Sequence, residues 1–127
     1  MRFDEHYLTE STTPNEKVYQ MVQKLHRNYD DFIDGDLGDR LDNYDNYELK
    51  DINISDLDLE EWDVQEDLVD NIVDEMKKNK EYPPIVVGDD MSIIDGIHRA
   101  NALNKLGFNK IRAYVGVSEW DLMNTIL

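Results

Sequence analysis

Apolar residues recur along this chain in two periods, and the switch between them predicts its elements. Val18, Met21, Val22, Leu25, Tyr29 and Phe32 fall at helical spacing, which predicts an amphipathic helix over 14–33. Thr13-Pro14-Asn15-Glu16 reads as its start: Thr13 caps, Pro14 takes the first helical position and Glu16 closes a capping box. Tyr47 to Ile54 reads as a strand with Leu49, Ile52 and Ile54 inward. A second helix is predicted from an Asp63 cap with Glu66 as its partner, carrying Val64, Leu68, Val69, Ile72, Val73 and Met76 as one stripe. Lys77, Lys78 and Lys80 suit its C-terminal dipole, and Pro83-Pro84 forbid continuation.

Ile85 to Val87 is a short apolar run, Gly88-Asp89-Asp90 a turn signal and Ser92 to Ile94 a return strand. Ala100, Leu103 and Leu106 then follow at helical spacing, with Gly107 as the stop. Ile111, Ala113 and Val115 alternate in a further strand over 110–115. A short last helix is predicted from Ser118 to Ile126, with Trp120 and Met123 on its apolar side. Met1 to Thr12 is polar and reads as a loose terminus. The expected fold class is α+β, with a small mixed sheet from strands near 48–54, 85–87, 92–95 and 110–115 packed by helices.

Composition narrows this picture. A chain of 127 residues suits one domain with a modest core. No cysteine is present, which excludes disulfides and thiol chemistry. No apolar window approaches a membrane span and no apolar signal core stands at the start, so a cytoplasmic location and no membrane partner are expected. The net charge of −16 argues against direct nucleic-acid binding.

Much of that charge sits between Asp30 and Asp70, where 17 acidic residues face only Arg40 and Lys50. Asp34-Gly35-Asp36-Leu37-Gly38-Asp39 invites a calcium-loop reading, but the order departs from the EF-hand pattern and Asp45 stands where its last ligand, a Glu, would be. A solvated acidic loop is the better reading. A third is DNA mimicry, with spaced carboxylates offered to a basic nucleic-acid-binding protein. Such a partner would fit a non-catalytic inhibitor carried by a phage or mobile element.

Candidate chemistry concentrates where the second strand of the hairpin meets the next helix. A helix N-terminus offers unpaired N–H groups and partial positive charge. Gly96 removes a side chain there, and His98 and Arg99 add donors in the first turn. Basic residues in a first turn oppose the helix dipole, which points to a role other than helix stability. The alternatives are a satisfied histidine at 98 and a structural ion pair from Arg99 to the acidic span.

Pro-Pro-Ile-Val-Val at 83–87, Ile-Ile-Asp-Gly-x-His-Arg-x-x-Ala-Leu-x-x-Leu-Gly at 93–107 and Ile-Arg-Ala-Tyr-Val at 111–115 together resemble the ParB/sulfiredoxin superfamily over roughly Tyr47 to Val115. The motif is nearest to the Asp-Gly-x-His-Arg free-serine-kinase and ParB-like nuclease group. The resemblance implies a ParB/sulfiredoxin-like domain over 47–127, with 1–46 as an added N-terminal helix and acidic extension. It implies a nucleotide site: ATP, ADP or CTP, with Mg²⁺, the phosphates held by Gly96, Ile97, His98 and Arg99. His98 is also a catalytic candidate. Asp95 would hold the metal or orient a hydroxyl, or serve only as a turn residue. Glu60 or Glu61 would be the base, by the position of the serine-kinase glutamate. The activity implied is an NTPase, a small phosphotransferase or a nuclease. Sulfiredoxin activity is excluded, because Ile97 stands where that chemistry needs a cysteine. The arginine-rich motif and helix-turn-helix domain of ParB proteins are also missing from the pattern.

Overall fold

A computed structural model describes residues 12–28, 35–79 and 82–118. In chain order it contains β1 (Thr12–Pro14), α1 (Asn15–Asn28), α2 (Gly35–Leu41), β2 (Asn46–Asn53), a 3₁₀ turn (Ile54–Asp56), α3 (Glu66–Asn79), β3 (Ile85–Val87), β4 (Ile93–Asp95), α4 (Ile97–Lys105) and β5 (Lys110–Val117). The end of the first predicted helix, with Tyr29 and Phe32, lies outside the described residues. So do the terminus before Thr12, Lys80 and the last predicted helix beyond Ser118.

The sheet is mixed, in the order β1-β2-β5-β3-β4. β2 and β5 pair antiparallel without interruption from Asn46↔Val117 to Asn53↔Lys110. β3 runs parallel to β5, with Val86 opposite Tyr114, and β4 closes the far edge as an antiparallel hairpin with β3. The fold class is thus α+β, a mixed sheet packed by helices as the periodicity predicts, with β1 as a fifth strand beyond the four expected.

Strand alternation sends successive side chains to opposite faces, and both faces are covered. Ile52, Ile85, Val87, Ile93, Ile111, Ala113 and Val115 meet α3 and α4 in one core. Tyr47, Val86 and Ile94 meet Val18 and Val22 of α1 and Leu37 and Leu41 of α2 on the other. The expected stripe of α3 is present: Val69, Ile72 and Met76 are buried, and Val64, Leu68 and Val73 pack against the same core. Each fully buried aliphatic contributes about 1.5–3 kcal/mol relative to exposure.

Several local expectations are corrected. Thr12–Pro14 is strand, paired with β2, so Thr13 does not cap α1. The helix starts at Asn15, whose N–H donates to Asp45 O at 2.9 Å. The Asp/Gly segment expected as an acidic loop contains α2, because Leu37 and Leu41 lie one turn apart and are buried. Leu49 shares the face of Tyr47, opposite Ile52, since odd and even positions of β2 diverge. α3 begins at Glu66, not after Asp63, with Gln65 O accepting from Leu68 and Val69 N–H. The stop of α4 is as expected: Gly107 has φ 88°, and Phe108 N–H donates back to Leu103 O at 3.1 Å. Among the described residues no helix is long and apolar enough to cross a membrane.

Candidate functional site: the corner between β4 and α4

Gly96 makes the corner. Its φ of 105° admits a sharp exit from β4 into α4, and its carbonyl accepts the first helical bond, from Ala100 N–H at 2.9 Å. The glycine is also sterically required. A Cβ there would lie 2.5 Å from Ile85 Cγ2 and 2.8 Å from Arg99 Nη2. The space cleared by the missing side chain is thus filled from inside, by Ile85 and Arg99.

Arg99 is a buried charge, only 6% exposed. Its Nη2 donates to Asp95 Oδ2 at 3.1 Å and to Pro84 O at 3.2 Å, tying α4 to β4 and to the start of β3. Its Nε is buried without a hydrogen-bond partner among the described residues. The ion pair that stood as an alternative, with the acidic span, is made instead with Asp95, four residues earlier. Ile97 packs in the core, so it offers a ligand only backbone.

His98 is half-buried and turned toward α3. Its Nε2 accepts from Gln65 N–H at 3.1 Å, so the proton of the neutral ring sits on Nδ1. In this arrangement Nε2 is an acceptor, whereas phosphate requires a donor.

The two glutamates separate. Glu61 Oε2 accepts from Ile93 N–H at 2.9 Å, beside the corner. Glu60 is exposed, its own N–H donating to Asp58 Oδ1 at 3.0 Å. The residue after Glu61, which sequence patterning did not single out, has a larger part. Trp62 Nε1 donates to Ile93 O at 2.9 Å, and Arg40 from α2 lies 4.5 Å above its ring. Asn101, also unforeseen, donates to Leu59 O at 3.0 Å from the second turn of α4.

The implied Mg²⁺ meets an engaged ligand. The Asp95 carboxylate is 9% exposed and paired with a guanidinium. Among the described residues no three His, Asp or Glu side chains converge on one point. For Asp95 to take a divalent cation, the Arg99 pair must first open, and no step is derived through the metal.

The hairpin before the corner is pinned from outside. Tyr44 OH donates to Asp89 Oδ1 at 2.9 Å and accepts from Asp89 N–H at 3.1 Å. Burial, followed by the nearby Asp89 and Asp90 carboxylates, pushes the Tyr44 phenol up. Asp90 accepts from both the amide and the hydroxyl of Ser92, which holds its carboxyl below the ordinary value.

No family model matches this chain, and no curated protein does. Among solved structures the chain is similar to sulfiredoxin from Arabidopsis thaliana, at 19% identity and a TM-score of 0.47, over 62% of this chain and 97% of that one. It is also similar to a pNOB8-like ParB N-domain in two structures, at 16% and 19% identity and TM-scores of 0.42 and 0.38. Each of those covers 62% of this chain but only 34% and 31% of the ParB chain, so this chain spans about a third of it. At these identities the likeness is one of fold alone.

Proposed function

We propose that this chain is a ParB/sulfiredoxin-like domain that binds the phosphates of a nucleotide at the β4–α4 corner. The observation that carries the reading is Arg99 Nε, a buried donor with no partner among the described residues, at the first turn of a helix. A buried unpaired donor costs about 1–3 kcal/mol, and such groups in native structures call for an explanation such as a water or an ion. A phosphate oxygen supplies that acceptor once the inward-facing Arg99 side chain is reached at the corner, with the α4 dipole behind it. ATP, ADP and CTP are the candidate ligands, and Mg²⁺ is expected to accompany their phosphates.

Binding is better supported than turnover. Of the groups expected for an NTPase, a phosphotransferase or a nuclease, Glu61 is committed to Ile93 N–H and Asp95 to Arg99. Neither is poised as a base. A thermal-shift panel of ATP, ADP, CTP and GTP with and without Mg²⁺ tests the reading. A nucleotide present at a hundred times its Kd adds about 2.7 kcal/mol, a shift of several degrees. No shift at millimolar nucleotide would refute it.

A second reading has its own support. From Asp56 to Glu75 the chain carries ten acidic residues and no Lys or Arg. On α3 the side chains of Glu66, Asp67, Asp70, Asp74 and Glu75 are exposed. A non-catalytic protein could present this surface to a basic partner. Binding to such a partner would weaken steeply with salt and ignore nucleotide.

A further inference from the structure

The corner is crossed by a segment that belongs to no helix or strand. Residues 59–65 run between the 3₁₀ turn and α3, and they are fastened through side chains. At one end Leu59 O is held by Asn101 of α4. In the middle, Glu61 Oε2 and Trp62 Nε1 bind the N–H and the carbonyl of the same residue, Ile93. At the other end Gln65 N–H is held by His98 Nε2. Leu59 and Val64 pack against the core on either side of the polar middle.

Ile93 explains this arrangement. β4 is an edge strand, and the outward N–H and C=O groups of an edge strand are open to pairing with another strand. Here the Glu61 carboxylate satisfies the N–H, and the Trp62 indole, joined by Arg40 Nη1 of α2 at 3.5 Å, satisfies the carbonyl, in place of a neighbouring backbone. No ladder runs beneath the crossing, so it rests on separate side-chain bonds. Losing any one shifts an opening equilibrium by only roughly two- to ten-fold.

We infer that residues 59–65 form a strap that opens locally and as a unit, releasing His98 Nε2 from Gln65 and uncovering the edge of β4 beside Gly96 and Arg99. The strap therefore sets access to the corner. What enters rests on the phosphate reading; the strap itself does not. In the closed state His98 Nε2 accepts a hydrogen bond from Gln65 N–H, so contact with an anion requires that bond to be given up first.

The test is amide hydrogen exchange followed by NMR on the full chain without ligand, in wild type, Trp62→Phe, Glu61→Ala and Glu61→Gln. The informative amide is Gln65, since none of these substitutions touches its own bond to His98. Trp62→Phe and Glu61→Ala are expected to speed its exchange by roughly two- to ten-fold, leaving Val69 and Leu103 in the core unchanged. Glu61→Gln keeps an acceptor oxygen for Ile93 N–H and should exchange like wild type. An unchanged Gln65 amide in both destabilising variants would overturn the strap. So would acceleration of Gln65 and Leu103 in step, which marks global unfolding. Failure of the phosphate reading looks different: no nucleotide binds, while Gln65 still responds. Nucleotide binding with an unresponsive Gln65 would instead remove the strap and keep the phosphate site.

Discussion

Replacing Arg99 by Met removes a cation from a place where Asp95 stays buried, 9% exposed, with its partner gone. The bond to Pro84 O is lost as well. Breaking a buried pair from one side costs about 3–5 kcal/mol, mostly for the uncompensated charge left behind. With about 2.1 cal/mol/K of unfolding entropy per residue, a 127-residue chain loses roughly 4 °C for each kcal/mol. The expected fall in Tm is therefore roughly 10–20 °C, and urea denaturation should give the same loss at unchanged m. Adding Asp95→Asn removes the stranded charge, so the double variant should recover about half of the loss or more. Strictly additive costs would show that the pair is not coupled and refute the argument. The result bears on function too. Arg99→Ala would lower Tm before any nucleotide is added, so Arg99→Lys, which keeps the charge and loses the planar fork, is the cleaner probe of phosphate contact.

Gly96→Ala forces a side chain into Ile85 at 2.5 Å and into a left-handed backbone; it should cost about 2–4 kcal/mol by urea denaturation, and a cost under 1 kcal/mol would contradict the packing described. Gly116→Ala meets the Tyr44 ring at 2.5 Å and should lower Tm, with partial rescue by Tyr44→Ala; absence of rescue would show that the ring is not the obstacle. Asp90 gives a pH prediction. Its folded pKa is depressed by the Ser92 bonds, so their contribution is present above the unfolded carboxylate value and disappears as pH falls through the folded one. Ser92→Ala should raise the Asp90 pKa toward the ordinary 3.8, read by carbon NMR titration, and no change would refute the assignment.

The elements that the sequence made legible are those whose signals are local. The β3–β4 hairpin, α4 with its Gly107 stop, and the α3 stripe follow from periodicity and turn chemistry. α2 was hidden because Gly35 and Gly38 each lower helix propensity by about 1 kcal/mol; tertiary burial of Leu37 and Leu41 outweighs that. The start of α3 was misplaced because Asp63 and Glu66 imitate a capping box, while Gln65 is in fact held by His98 from another helix. At the corner, Gly96, His98 and Arg99 were visible as a cluster, whereas the ion pair of Arg99 with Asp95 was not foreseen. The direction in which they face was not legible. That Arg99 turns inward, that Glu61 binds Ile93 and that Trp62 joins it all depend on distant segments of chain meeting at the edge of the sheet.

The most direct test of phosphate binding at the corner is a titration of the ¹⁵N-labelled protein with ATP, ADP and CTP, following each amide. The account predicts saturable shifts at Gly96, Ile97 and His98, accompanied by Gln65, for at least one nucleotide, with the β1 and β2 amides unmoved. Amides at the corner that stay fixed at millimolar nucleotide, while others shift or none do, would contradict it.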